Sequence, residues 1–157
     1  MPQPLGRPTP FFDEHLDVDV EAALDTAADV LGELGAEIVD VPLAGAADAR
    51  SHFEVLAGQE VLLTPALPGE VPLRTQADDP EVIEHLTRLL YPWSLVPGPT
   101  LSVPCGRHRT GTPVGLQLTG PAGGDALVLA VGAVYQQVTD WHLAEPLTAD
   151  DAFGPSV

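Results

Sequence analysis

The chain has a single cysteine, three residues before a histidine in the segment LSVPCGRHRTG, residues 101–111. A thiol beside an imidazole can act as a nucleophile with its general base when the surroundings lower the thiol pKa. Nothing near Cys105 in the sequence provides such activation, because a proline precedes it and a turn follows it. We therefore predict that Cys105 is a structural residue and that His108 is not its base.

Two further groups of polar residues have types that could bind a metal or move a proton. Asp13, Glu14 and His15 are consecutive, so their side chains do not share a face, and a solvated turn is predicted instead of a metal site. His142 follows Trp141 after a predicted helix, where packing with a satisfied ring nitrogen is the expected role. The sequence thus predicts no metal, no cofactor and no catalytic residue.

The glycine-rich segment GPAGGD, residues 120–125, has the composition of a phosphate-binding turn at the start of a helix. A P-loop also needs a lysine followed by serine or threonine, and this chain contains no lysine. Asp125 would in addition put a carboxylate where a phosphate would sit. We predict a plain connection from a strand to a helix over residues 126–138, with Asp125 as the helix cap.

The charge balance excludes several classes of partner. The 157 residues include 23 acidic residues and 6 arginines, which gives a net charge of -17. Such a charge repels phosphate backbones and anionic membranes, so no nucleic-acid or membrane partner is expected. One cysteine cannot form an intramolecular disulfide framework, and the first residues lack the pattern of a signal peptide. These features predict a soluble, acidic, cytoplasmic protein.

Periodic patterns predict the elements that position these residues. Apolar residues at helical spacing predict an amphipathic helix from Val20 to Leu34, and Gly35 is expected to end it. The segment EIVDVPL that follows predicts a short strand, and a linker or a short turn is expected over residues 44–50. A helix followed by a strand needs another strand beside it, so this unit belongs to a larger sheet.

Three more strands are predicted further along the chain. Residues Val61 to Thr64 form a short apolar run closed by two prolines, which cannot continue a strand ladder. The apolar segments PTLSVPCG and TPVGLQLTG are joined by the polar turn RHRTG, which predicts an antiparallel hairpin. Both hairpin strands are apolar enough to lie inside the sheet.

A second helix is predicted before this hairpin. Asp79 can cap its start, and Pro80 suits the first helical position. Glu84 and Arg88 stand four residues apart, which is the spacing of a helical ion pair. Pro92 is expected to end the helix.

The order of these elements and several short motifs resemble the C-terminal part of amidase signature enzymes. The matching residues fall into three groups, which are Ser102, Pro104, Cys105 and Gly106, then Pro113, Val114, Gly115 and Gln117, then Gly120, Pro121, Asp125, Trp141 and His142. The upstream helix and strand and the segment EVLLTPALPG resemble this family too, so the resemblance covers most of residues 12–145. It implies an α/β or α+β fold with a mixed sheet near residues 38, 61, 101 and 114, covered by helices near 20–34, 80–90 and 126–138.

The resemblance also implies a function, which is hydrolysis of amide C–N bonds by two serines and a lysine in a glycine- and serine-rich signature. This chain contains neither that signature nor a lysine. A serine without a base and an oxyanion hole is a poor nucleophile, so we predict no activity for the chain alone. The first hypothesis is a C-terminal portion of an amidase that a second chain with the signature half completes. The alternative is a stand-alone binding or scaffold module, a pseudoenzyme, with self-association as the other expected partnership.

The sequence departs from the family pattern at several points. Ser94 stands where the family usually has asparagine, and Pro97 stands where it has glycine, so this loop is expected to differ in shape. Ser94 and Gln117 are the residues that the resemblance assigns to the substrate side. The family also has several helices between the two upstream strands, which are close together in this sequence. We expect a single domain over the 157 residues, with irregular tails over residues 1–11 and 146–157.

Overall fold

Five strands form one mixed sheet in a computed structural model that describes residues 4–42, 61–76 and 78–145. The strands are β1 (Pro4–Thr9), β2 (Glu37–Pro42), β3 (Val61–Pro65), β4 (Thr100–Arg107) and β5 (Pro113–Thr119). The helices are α1 (Val18–Glu33), α2 (Pro80–Thr87) and α3 (Asp125–Gln137). Short 3-10 helices occupy Arg74–Gln76, Pro92–Leu95 and Trp141–Leu143. This arrangement confirms the predicted α/β fold with a mixed sheet.

The strand order is β2-β1-β3-β5-β4, so the expectation that both hairpin strands lie inside the sheet is wrong for β4, which is at the edge among the described strands. Strand β1 runs parallel to both of its neighbours, and β5 runs antiparallel to β3 and β4. The prediction of an irregular segment over residues 1–11 is wrong, because Pro4–Thr9 form a strand between β2 and β3. Two prolines hid this strand from sequence reasoning, although Leu5 between them is 2% exposed and belongs to the core.

The first face of the sheet carries the main hydrophobic core, and α1 and α3 pack against it. Apolar residues of α1 recur at helical spacing and are buried, while its exposed positions carry acidic side chains. Gly106 of β4 makes close packing possible, because a Cβ atom there would lie 2.7 Å from the Cβ of Ala23. The predicted amphipathic character of the first helix is therefore confirmed.

The opposite face is covered differently from the prediction. A second apolar cluster lies there and comprises Phe12, Leu62, Leu89, Trp93 and Val96. Helix α2 has no buried residue, so the expectation that a helix over 80–90 covers the sheet is wrong. The helix ends at Thr87, and the segment after it covers this face instead. Its buried residues there are Leu89, Trp93 and Val96.

Several predicted helix ends can be compared with the structure. Gly35 has a positive φ of 88° after α1, as a helix stop requires. Asp79 caps α2 by accepting a hydrogen bond from the Glu81 N–H at 3.0 Å. The cap predicted for α3 is wrong, since Gly124 occupies the cap position and Asp125 is the first helical residue.

The predicted pairing of Arg88 with Glu84 is also wrong. The guanidinium of Arg88 donates hydrogen bonds to the carbonyl oxygens of Phe11, at 3.3 Å, and of Glu14. Arg88 lies just after the last turn of α2, so its long side chain reaches the segment between β1 and α1. A tertiary contact has replaced the local helical pair.

Some predictions concern segments outside the described residues. These are the linker over 44–50, the short connection between β2 and β3, and the tail over 146–157. Among the described helices, none is both long enough and apolar enough to cross a membrane.

Candidate functional site

Polar side chains form a row across three neighbouring strands on the face opposite α1 and α3. Thr64 pairs with Gln117, and Gln117 pairs with Ser102, so the three residues share one register position on β3, β5 and β4. The next position along the strands places Leu63, Leu118 and Leu101 on the helix-covered face. We call Thr64, Gln117 and Ser102 the polar row.

Hydrogen bonds hold two members of the polar row in place. Thr64 is 1% exposed and Gln117 is 6% exposed, so both polar groups are buried. The Thr64 hydroxyl donates to Gln117 Oε1 at 3.4 Å and accepts from the indole N–H of Trp93 at 3.2 Å. A buried polar group that is already bonded is fixed in orientation, so Gln117 is presented in one arrangement. Ser102, on the outer strand, is exposed.

A cavity of about 320 Å³ lies beside Ser102. Its lining is mainly apolar, and Ser102 and His108 are its polar side chains, together with residues such as Leu67, Val71, Pro113 and Gly115. Gly115 keeps this space open, because a Cβ atom there would lie 2.9 Å from the Ala66 Cβ and 3.3 Å from the Ser102 hydroxyl. Such a cavity has the size and character of a small-molecule site.

A second cavity, of about 350 Å³, lies along the hairpin. Trp141, Ala144 and Glu145 line one part of it, and the hairpin residues Pro104 and Pro113 line both this cavity and the first. The hairpin therefore separates two concave regions, and the polar row adjoins the first of them.

The turn of the hairpin is anchored by two carboxylates. Asp19 Oδ2 accepts from the Arg109 backbone N–H at 3.0 Å and from its guanidinium Nε at 3.2 Å. Glu70 Oε1 accepts from the hydroxyls of Thr110 and Thr112, the latter at 2.8 Å. The Arg109 N–H lowers the pKa of Asp19, and the two hydroxyls lower the pKa of Glu70. Both carboxylates are therefore ionised at neutral pH and hold the turn against the rest of the fold.

His108 also lies near two aspartates at the start of α1. The ligand atoms of Asp17, Asp19 and His108 lie within 4.8 Å of one another. Both carboxylates already have protein partners, since Asp17 Oδ1 caps α1 through the Asp19 N–H at 2.8 Å and Asp19 binds Arg109. Helix capping and turn anchoring thus account for this cluster.

Cys105 lies in the apolar core on the helix-covered face. The residue is 1% exposed, and burial raises the pKa of its thiol to about 12. A thiol with that pKa is protonated at neutral pH and is a weak nucleophile. His108 lines the cavity, whereas Cys105 packs in the core, so the two do not form a shared site. This environment agrees with the structural role predicted for Cys105.

The other predicted residues have separate locations. Ser94 is exposed in the 3-10 helix beside Trp93, and its hydroxyl donates to the Leu90 carbonyl at 3.3 Å. Asp13, Glu14 and His15 are exposed in a turn, as predicted. The packing expected for His142 is wrong, because His142 is exposed. Trp141 is 37% exposed and belongs to a 3-10 helix that contacts β4.

Sequence reasoning missed three contributors to the site, which are Thr64, Trp93 and Ser102. Thr64 is the one polar residue in the apolar strand β3, and this interruption was an available signal. Strand pairing brings Thr64 next to Gln117, which is 53 positions away in the sequence. The polar row could therefore not be predicted from local sequence patterns.

The family of the chain follows from comparison with known proteins. Residues 46–129, more than half of the chain, match the family described as Amidase. The chain belongs to the amidase family. This amidase-family chain is 41% identical over 101 residues to the A subunit of glutamyl-tRNA(Gln) amidotransferase from Thiobacillus denitrificans, a match that covers 62% of this chain and 20% of that protein. The chain spans about a fifth of the length of the curated relatives it matches.

Solved structures of amidases share the fold of this chain. The A subunit of the same kind of amidotransferase from Thermotoga maritima has a TM-score of 0.67 at 18% identity, over 85% of this chain and 40% of that one. A bacterial aryl acylamidase of the amidase signature family has a TM-score of 0.73 at 18% identity, over 92% of this chain and 46% of that one. These likenesses confirm the predicted amidase-signature-like α/β fold.

Proposed function

We propose that this chain is the C-terminal part of an amidase-family hydrolase and that it takes part in amide C–N bond hydrolysis only with a segment carrying the catalytic serines and lysine. The polar row beside the cavity carries this proposal. Ser102 of this row lines the apolar cavity, and its strand-paired neighbour Gln117 is oriented by Thr64. This arrangement suits recognition of a small polar group such as an amide. The sequence has no lysine to serve as the family's base.

The chemistry of the cavity supports inactivity of the chain alone. The Ser102 hydroxyl needs a positioned base and oxyanion donors before it can attack an amide. His108 is the titratable side chain that lines the cavity with Ser102, and its surroundings are the carboxylate Asp19 and the anchored turn. The thiol of Cys105 is protonated in the core. Catalysis therefore depends on groups from another segment.

We propose that Gln117 and Ser94 lie on the substrate side, and a different observation supports each residue. Gln117 accepts a hydrogen bond from Thr64, which accepts one in turn from Trp93, so the Gln117 amide has one orientation within the polar row. Ser94 is exposed next to Trp93 and can approach a ligand on that side after rotating away from Leu90. Thr64 and Trp93 are then positioning residues.

The proposed partner is a polypeptide segment that bears the amidase signature. The matched relatives are named as one subunit of an amidotransferase, and they are about five times longer than the aligned region. The high negative charge favours a protein partner over nucleic acid or an anionic membrane. We propose a cytoplasmic location and no cofactor for the complete enzyme.

A comparison of the isolated chain with a fusion tests this function. The fusion joins the N-terminal part of the Thiobacillus denitrificans relative, ending before the matched region, to this chain. Aliphatic and aryl amides are the substrates, and the heat-denatured chain sets the background. We expect turnover by the fusion and background rates from the chain alone, because removing a nucleophile and its base costs several powers of ten in rate.

Two variants make this comparison specific. Replacement of the signature serine in the fusion by alanine is expected to abolish turnover, whereas Cys105→Ala is expected to retain it. Turnover by the isolated chain that disappears in Cys105→Ala or Ser102→Ala would overturn the proposal.

A non-catalytic binding module is the second candidate function, and the preformed cavity of about 320 Å³ favours it. This function predicts that the isolated chain binds small amides although the fusion stays inactive. Titration calorimetry with the same amides, on wild type and Gln117→Ala, separates it from the hydrolase.

A further inference from the structure

Helix α3 is apolar on its outer side as well as its inner side. No charged residue occurs from Ala126 to Gln137, in a chain with a net charge of -17. Its buried residues face β4 and β5, yet four apolar residues are exposed, which are Ala126, Leu129, Ala130 and Ala133. Leu129 is 59% exposed. A helix that is apolar all round is normally buried on all sides.

Helix α1 provides the internal comparison. It packs on the same face of the sheet, but its exposed positions include Glu21, Asp25, Asp29 and Glu33. The chain therefore places charges along the whole outside of α1, whereas the one charged residue of α3 is Asp125 at its first position. The scarcity of charge on the outer face of α3 is therefore specific to that helix, because the chain as a whole is rich in acidic residues.

Strand β4 forms an open edge next to α3. Among the described residues no strand lies beyond β4 in the sheet. The Gly120 N–H donates to the Pro99 carbonyl at 2.9 Å, so these two residues form a hydrogen-bonded pair. Such pairs occur at every second residue of an antiparallel ladder, so the N–H and C=O groups of Leu101 and Val103 point toward β5. The N–H and C=O groups of Thr100 and Ser102 then point away from the sheet.

The open part of this edge is limited in length. Pro104 has no N–H to offer, and the segment 141–145 packs by the far end of β4, where Arg107 donates to the Glu145 carbonyl at 3.0 Å. Thr100 and Ser102 are exposed. The start of β4 thus offers two outward N–H groups and two carbonyls, and natural sheets rarely leave such an edge uncovered.

The outer face of α3 and the open edge belong to the same end of the sheet. Gly132 lets the helix approach β4, because a Cβ atom there would lie 2.5 Å from the Leu101 side chain. We call the exposed residues of this end the β4–α3 surface, and they are Thr100, Ser102, Ala126, Leu129, Ala130 and Ala133. Edge groups and uncharged apolar side chains together suit an incoming strand and the apolar residues attached to it.

We propose that the β4–α3 surface docks the signature-bearing part of the amidase fold, which adds an extended segment to β4 and covers Leu129. This inference rests on the proposed function. The choice of occupant follows from the structural neighbours, of which this chain matches 40% and 46%, so more than half of each neighbour has no counterpart here. A surface without charges also lets a partner approach a strongly acidic chain at little electrostatic cost.

Binding between separate polypeptides tests the surface. The probe is the N-terminal part of the Thiobacillus denitrificans relative, tagged and co-expressed with this chain, and the complex is measured by pull-down and biolayer interferometry. Ser102→Pro removes an outward N–H, and Leu129→Glu adds a charge. Each is expected to weaken binding by about tenfold or more, as loss of a central interface group does.

Matched controls separate interface effects from misfolding. Ser102→Ala keeps the backbone N–H, and Ala22→Glu adds the same charge on the exposed side of α1. Both are expected to bind within about twofold of wild type. Circular dichroism and the thermal midpoint verify that all four variants fold, and a variant that does not fold is replaced by Thr100→Pro or Ala133→Glu.

The outcomes distinguish this inference from the proposed function. Unchanged binding by folded Ser102→Pro and Leu129→Glu overturns the docking surface, while turnover by the fusion still supports the hydrolase. No association with the wild-type chain overturns the docking surface as well. Dimers of the isolated chain that both variants abolish would assign the surface to a second copy and overturn the proposed occupant. An inactive fusion contradicts the hydrolase function itself.

Discussion

The indole N–H of Trp93 donates a hydrogen bond to the hydroxyl of Thr64 at 3.2 Å, and this bond joins the second apolar cluster to the polar row. The ring of Trp93 also stacks on Phe12 with centroids 4.9 Å apart. One side chain therefore serves packing and polar orientation together. Removing the Trp93 side chain should therefore lower the free energy of unfolding and loosen the orientation of Gln117.

We expect Trp93→Phe to lower the free energy of unfolding by about 1–3 kcal/mol, because a buried hydroxyl loses a donor. The aromatic ring that packs on Phe12 is retained in this variant. Urea unfolding followed by far-ultraviolet circular dichroism measures the change. Trp141→Phe, at an exposed position, is the control and should stay near wild type. Equal losses in the two variants would contradict the role of the Trp93 bond.

Replacing Gly98 or Gly32 by alanine should change the free energy of unfolding in opposite directions. A Cβ atom on Gly98 would meet the carbonyl oxygen of Gly120 at 2.1 Å, and that backbone atom cannot move aside without breaking the end of the hairpin. We expect Gly98→Ala to destabilise the fold by about 1–3 kcal/mol or more. Thermal and urea unfolding report the change.

Gly32 is the matched position, in the last turn of α1, where an added methyl group would have nothing within 4 Å. Gly32→Ala should stabilise the fold by about 0.5–1 kcal/mol, since alanine loses less backbone entropy in a helix. A stabilising Gly98→Ala would show that the close approach to Gly120 is not required.

Stability should fall as the pH rises above about 9, because of Cys105. Burial raises the pKa of its thiol from 9.0 to about 12, so between these values the unfolded chain loses a proton that the folded chain keeps. The free energy of unfolding then decreases with pH over that window. Burial also raises the pKa of Tyr135 to about 12, which adds a decrease above its ordinary value of 10.0.

Cys105→Ala isolates the thiol contribution. Its unfolding free energy should depend less steeply on pH between 9 and 10 than that of wild type, where the thiol titrates in the unfolded chain. A thiol-specific reagent should label wild type only after unfolding at neutral pH. Rapid labelling of the native chain would contradict the burial of this residue.

Stability should also decrease on the acid side, through Asp19 and Glu70. Their pKa values are lowered in the folded chain, so the stabilisation that they provide is complete above their ordinary values of 3.8 and 4.5 and is lost as the pH falls through the folded values. Asp19→Asn should reduce this dependence in urea unfolding between pH 5 and 3. Asp29→Asn, on the exposed side of α1, is the control and should leave the acid profile unchanged.

The sequence by itself determined the elements whose signals are local. The amphipathic spacing of α1, the Asp79 cap of α2, the buried run of β3 and the hairpin turn were all readable, because each depends on neighbours within a few residues. The same short motifs carried the resemblance to amidases that the family match confirmed.

The tertiary structure alone decided which distant residues meet. It placed the proline-containing strand β1 inside the sheet and turned Arg88 from Glu84 toward the Phe11 carbonyl. It also set the register that joins Thr64 to Gln117. The physical reason is that strand pairing and long side-chain contacts are chosen by competition across the whole chain, where burial and hydrogen bonding outweigh local preference.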